Sequence, residues 1–107
     1  MRRLPPAGAI AVIFVSQRTD ADEAGYGRAA DAMELLAAGQ PGYLGIESAR
    51  GADGLGITVS YWADEASAVA WWANAEHAAI RELGRERWYA HYRLMVTRVE
   101  RAYEWTP

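Results

Sequence analysis

The apolar positions of this chain repeat with two different periods, and the places where the period changes mark its elements. Residues 9–17 read Ala-Ile-Ala-Val-Ile-Phe-Val-Ser-Gln, a β-branched run too short for a stable helix, and predict a strand. Downstream, Tyr26, Ala29, Ala30, Met33, Leu36 and Ala37 recur at helical spacing and form one apolar stripe. Asp20 and Glu23 have the spacing of a capping box at the start of that helix, and Gly39 with Pro41 stops it. Gly25 and Gly27 weaken its first turns. Period two returns in Tyr43–Arg50 and Leu55–Trp62, joined by Gly51-Ala-Asp-Gly54, whose Asp-Gly pair supplies the positive φ of a hairpin turn.

Asp64 is placed to cap a second helical stretch carrying Ala66, Val69, Ala70 and Ala73. The stripe is renewed after Asn74 by His77, Ile80 and Leu83 and runs to Gly84, which predicts one broken helix or two short ones. Residues 91–105 turn extended again; the run is long for a strand and its polar face switches partway, as a bulge would make it. The order is β-α-β-β-α-β, an α+β chain of ferredoxin-like topology with an antiparallel sheet. Residues 1–8, with Pro5-Pro6, predict a flexible arm ahead of a single domain over residues 9–107.

A sheet with helices on one side should alternate between apolar and polar faces. The first strand does not, since Ile10, Val12 and Phe14 lie on one face and Ala11, Ile13 and Val15 on the other. Leu55, Ile57, Val59 and Tyr61 oppose Gly56, Thr58, Ser60 and Trp62 in the same way, with no charged side. Two helices cover one face only, so the second calls for another copy of the chain, a homodimer packed sheet to sheet.

Composition narrows the function classes. A length of 107 residues with 51% hydrophobic positions is one small domain with a real core. A formal net charge of -3 argues against nucleic acid and against acidic membrane surfaces as partners. All 11 basic residues are arginine, which suits planar anions but equally reflects base composition in so alanine-rich a chain. Without cysteine there are no disulfides, thiolate metal sites or cysteine nucleophile, and two histidines make a structural zinc site improbable, so no metal is expected. No apolar run is long enough to span a membrane, and a cytoplasmic location is expected by default.

Ile57-Thr-Val-Ser-Tyr-Trp62, Ala66, Trp71, Glu76-His77, the segment Leu83-Gly-Arg-Glu-Arg-Trp-Tyr89 and Val99-Glu-Arg-Ala-Tyr103 together resemble the antibiotic biosynthesis monooxygenase (ABM) domain family. Pro41-Gly-Tyr-Leu-Gly45 resembles that family's entry to its second strand. The resemblance covers the chain from Ala9 and is densest after Gly56. It implies a dimeric α+β barrel with a small pocket between helices and sheet in each subunit. Some such proteins oxidise quinols and polyphenols with oxygen and no cofactor, others bind and degrade haem, and others have no assigned reaction.

Under the first of these functions His77 is the base that takes a phenolic proton. Trp62, Trp71, Ser60 and Trp88 would bind the small aromatic substrate, and Arg87 or Tyr92 would hold its anion. Each residue also has a plainer reading. Trp71 is either pocket wall or core, and Trp72 reads as core. His77 is a base, a displaced haem ligand, or a half-buried histidine bonded to the backbone. Arg85 and Arg87 sit within reach of Glu82 and Glu86 as surface ion pairs. For haem, the resemblance puts the ligand histidine at Arg81 and a first-strand asparagine at Ser16-Gln17, so two of three signatures are missing. A non-catalytic, small-molecule-binding or stress-related member is the third alternative.

Overall fold

A computed structural model describes residues 4–107, the side chains of Ala75 and Glu76 excepted. Its elements run β1 (Ile10–Arg18), α1 (Glu23–Ala38), β2 (Tyr43–Arg50), β3 (Leu55–Trp62), α2 (Glu65–Ala73), α3 (Ala75–Arg87) and β4 (Tyr89–Arg98). The strands form one antiparallel sheet in the order β2-β3-β1-β4, the ferredoxin-like arrangement. Both apolar strands are therefore central, with the more polar β2 and β4 at the edges.

Register fixes the faces. Ile10 pairs with Trp62, Val12 with Ser60 and Phe14 with Thr58, while Val12 and Phe14 pair on their other side with Val96 and Leu94. This face turns to the helices, and Ile10, Val12, Ala37, Trp62, Ala68 and Trp71 form the core between them. Trp62, at 0% exposure, is its largest fully buried side chain. The opposite face carries Ala11, Ile13 and Val15 beside Tyr61, Val59 and Ile57, with Met95 across from Ile13. There Leu55, Ile57 and Met95 remain 40–42% exposed, so the two-sided apolar pattern of the strands is realised as one covered face and one bare one.

Three elements differ locally from the sequence expectation. The cap of α1 is Asp22, whose carboxylate accepts from Gly25 N at 3.1 Å, and not Asp20. Asp22 adopts a left-handed backbone (φ 50°), and a Cβ on Gly25 would collide with its carboxylate, so glycine is what lets the cap close. Helix α3 continues through Gly84 to Arg87. Finally, β4 ends at Arg98 and not at Trp105: Val99 N still donates to Ala9 O and Gly8 N to Val99 O, but the alternating residues beyond find no ladder, and Tyr103 and Trp105 are exposed. The register shift of this strand lies ahead of residues 91–105 and not partway along them, since Gln17 pairs with His91 but Arg18 with Tyr89.

The second helical stretch is two helices. Asn74, with ψ 130°, breaks the backbone path, and its side chain caps α3 by accepting from His77 N at 3.1 Å. Among the described residues no helix is long and apolar enough to cross a membrane.

Candidate active site

Between the helices and the covered sheet face lies a cavity of about 520 Å³. Val12, Phe14, Ser60 and Leu94 form its floor, Tyr26 and Met33 of α1 one wall, and Trp71, Trp72, His77 and Arg81 the other. Trp88, Tyr89 and Tyr92 close it at the start of β4.

The helix break organises the second wall. In a continuous helix the carbonyls of Trp71 and Trp72 would accept from the amides of residues 75 and 76. The turn at Asn74 opens both to side chains, although Asn74 N still donates to Trp71 O at 3.1 Å. His77 Nδ1 lies 2.9 Å from Trp71 O, and Arg81 donates from one terminal nitrogen to Trp72 O, also at 2.9 Å. A carbonyl only accepts, so His77 Nδ1 carries the proton and the neutral ring keeps its lone pair on Nε2.

Burial holds His77 below the ordinary imidazole pKa of 6.5; the bond to Trp71 O opposes that shift and the nearby Arg81 cation adds to it. The imidazole is 8% exposed and stacks on Trp71 (4.2 Å between centroids, 26° between planes), while Trp71 stacks in turn on Trp62 at 5.7 Å. Trp72 meets the imidazole edge-on at 5.4 Å and carries the Arg81 guanidinium over its face at 4.1 Å. The arrangement is a neutral, desolvated base beside a fixed cation, both in an aromatic wall. Two buried donors of residues lining the cavity, Arg81 Nε and Trp88 Nε1, have no hydrogen-bond partner among the described residues.

Of the residues singled out from sequence, the structure brings Ser60, Trp71, His77, Trp88 and Tyr92 to the cavity. Trp71 is both core and wall. Trp62 is placed behind it, buried in the core, with its Nε1 donating to Ser60 Oγ at 3.0 Å. Arg87 does not reach the cavity: it is exposed at the end of α3, where its carbonyl accepts from Thr19 Oγ1. Tyr92 has its hydroxyl 2.6 Å from Arg85 Nε, and Arg85 pairs with Glu82 at 2.7 Å on the surface. Ser16 is buried on the covered face, whereas Gln17 turns to the hairpin and donates to Asp53 O. The Glu76 side chain lies outside the described residues. Sequence reasoning missed Trp72 and Arg81 as wall residues; the signal was the predicted break at Asn74, which rotates the helix that carries Arg81.

Comparison with known proteins agrees with this architecture. A family model described as antibiotic biosynthesis monooxygenase matches residues 9–83, ending before the segment at residues 84–105 that the sequence resemblance had included. The uncharacterized protein YqjZ of Bacillus subtilis is 47% identical over 102 residues, covering 94% of this chain and 88% of its own. Among solved structures, SnoaB of Streptomyces nogalater, a cofactor-independent oxygenase, superposes with a TM-score of 0.77 at 12% identity, covering 90% of this chain and 97% of its own. A conserved protein from Methanosarcina mazei gives 0.78 at 14% identity, over 87% of this chain and 94% of its own.

Proposed function

The chain belongs to the antibiotic biosynthesis monooxygenase family, and from that membership we propose that it oxygenates an electron-rich aromatic, of quinol or polyphenol type, without a cofactor. The observation that carries this reading is the neutral His77 in the cavity wall, tautomerically fixed by Trp71 O, with the Arg81 cation one helical turn away. Nε2 takes the phenolic proton of the bound substrate. The anion left behind is held by Arg81, whose unpartnered Nε offers a charge-assisted donor. Arg81 thus replaces Arg87 as the anion partner, and Trp72 replaces Trp62 as a flat wall.

Deprotonation raises the energy of the substrate's highest electrons and lets it reduce oxygen directly. In the net change a ring CH2, the keto tautomer of the phenol, and O2 become a ring carbonyl and water. All four electrons come from the substrate, so the protein need only bind, deprotonate and exclude bulk water. The fold of SnoaB, a cofactor-independent oxygenase, supports this class of chemistry by analogy. Haem degradation fits the residues less well: the position assigned to the ligand is a guanidinium tied to the Trp72 carbonyl and ring. We further propose that a second copy of the chain covers the bare sheet face and completes the barrel.

Oxygen uptake with a panel of naphthalene and anthracene quinols tests the reading. Turnover is expected in the purified protein without added metal or haem. His77→Ala should lower it by about two to four orders of magnitude, the usual contribution of a positioned general base. An absence of uptake across the panel would favour the non-catalytic alternative, and a His77→Ala variant that keeps its rate would remove His77 as the base.

A further inference from the structure

The other end of the cavity is built differently, and nothing in the deprotonation chemistry uses it. Arg50, at the end of β2, donates from Nε to Tyr26 OH at 3.0 Å, and its guanidinium carbon lies 5.4 Å from the centre of the Tyr26 ring. Arg18, at the end of β1, lies over the same ring at 4.8 Å. Tyr89 packs edge-on against it, and its hydroxyl is kept neutral, first by burial and then by the neighbouring Tyr26 hydroxyl. Two guanidinium groups therefore meet on one tyrosine, and among the described residues neither is in a salt bridge. Arg18 Nε is buried and without a partner, while the single bond from Arg50 Nε leaves its two terminal amino groups as an open fork. The carboxylates along the cavity, Asp31, Glu34 and Glu65, are all exposed.

Strand register sets the distance between the ends. Trp62, against which the Trp71–His77 stack is built, pairs with Ile10, and Arg50 pairs with Gly56, which pairs with Ser16. Six strand residues separate the two levels, roughly 20 Å at the usual rise.

Resting on the oxygenase reading for its other end, we propose that Arg50, with Tyr26, is a carboxylate-binding subsite, Arg18 backing the Tyr26 ring. The ligand is then a flat aromatic acid whose carboxylate sits on the Arg50 fork, its rings running into the cavity toward the His77 end. Planarity matches the aromatic walls, and a bidentate carboxylate matches the fork.

The test compares rhein, a dihydroxyanthraquinone carboxylic acid, with chrysophanol, the same rings bearing methyl in place of the carboxylate. Binding is read by quenching of the cavity tryptophans at neutral pH. The unmodified protein should bind rhein at least about tenfold more tightly, the scale of a charge-assisted hydrogen bond at a part-exposed site. Arg50→Gln should erase that preference and leave chrysophanol unchanged. Tyr26→Phe, which keeps the ring but frees Arg50, should reduce the preference in the same direction, so a poorly folded Arg50→Gln does not end the test. Equal affinity for the two ligands, failure of both to bind, or an Arg50→Gln variant that weakens both alike overturns the subsite. His77→Ala should keep the rhein preference while losing oxygen uptake. A preference without uptake by any quinol would sink the oxygenase reading and leave the subsite standing; uptake without a preference would do the reverse.

Discussion

The two faces of the sheet are made from neighbouring residues of the same strands, yet they do opposite things. On the covered face, apolar floor residues meet three helices that do not close on them, and the gap is a cavity lined with rings and a few fixed polar groups. On the bare face, Ile13, Val15, Ile57, Val59 and Met95 make a flat apolar patch, with Glu47 accepting from the Tyr61 hydroxyl at 3.5 Å toward the β2 edge. Enclosure allows one base to be desolvated and oriented; flatness suits pairing with an identical surface, dry at its centre and polar at its rim. One strand can serve both because alternation separates the jobs by a single residue.

The sharpest way to break that division is to place a charge on the bare face. Ile13→Arg, flanked across the strands by Val59 and Met95, would put an unpaired guanidinium twice into a twofold interface, a cost of several kcal/mol per buried charge. The variant is expected to run as a monomer in light scattering while still binding aromatic ligands. A dimer that survives this substitution would remove the bare face as the interface, and a lost ligand site would show that the faces are coupled.

Next in size is Trp62→Ala on the covered face, which empties the space behind Trp71. A large-to-small change at such a site costs about 3–5 kcal/mol. It should lower the unfolding midpoint strongly and loosen the His77 stack, with the dimer mass unaltered. A small shift in that midpoint would mean that the Trp71–His77 stack is held without its backing.

The smallest expected effect is the pH dependence. The folded-state pKa of His77 is depressed below 6.5, chiefly by burial, so above that value the residue is neutral in both states and contributes no slope. As pH falls below 6.5 the unfolded chain takes up the proton first, and stability declines until the folded pKa is passed. Denaturation profiles between pH 7 and 5 should therefore fall more steeply for the unmodified protein than for His77→Gln (about 1.4 kcal/mol for each unit by which the pKa is depressed). Parallel profiles would contradict a desolvated His77. Oxygen uptake should fall only at the acid end of that range, as the depressed folded-state pKa is reached and Nε2 becomes protonated.

Much of this was legible in the chain because strands and hairpins are local. The two-sided apolar strands, the Asp-Gly turn and the break at Asn74 each follow from residue types within a few positions. What was not legible depended on distant contacts. Asp20 has the capping-box spacing to Glu23, and only the left-handed backbone at Asp22, turning over Gly25, moves the cap to Asp22. Residues 100–105 alternate like a strand, but a strand exists only where a partner offers its amides and carbonyls. Arg81 and Arg87 are alike as letters; the orientation of α3 after its break puts one into the cavity and leaves the other outside. The grouping of Arg18, Tyr26 and Arg50 has no motif, since it joins the ends of two strands to the first turn of a helix.

The interruption at Asn74 also bears on how this protein tolerates change. A residue of higher helix propensity there would favour fusing α2 with α3, and such substitutions are the usual route to a more robust fold. Here the repair would close the hydrogen-bond ladder over Trp71 O and Trp72 O and evict His77 and Arg81 from the carbonyls that aim them. The site depends on a defect, and selection for thermal endurance alone would tend to erase it.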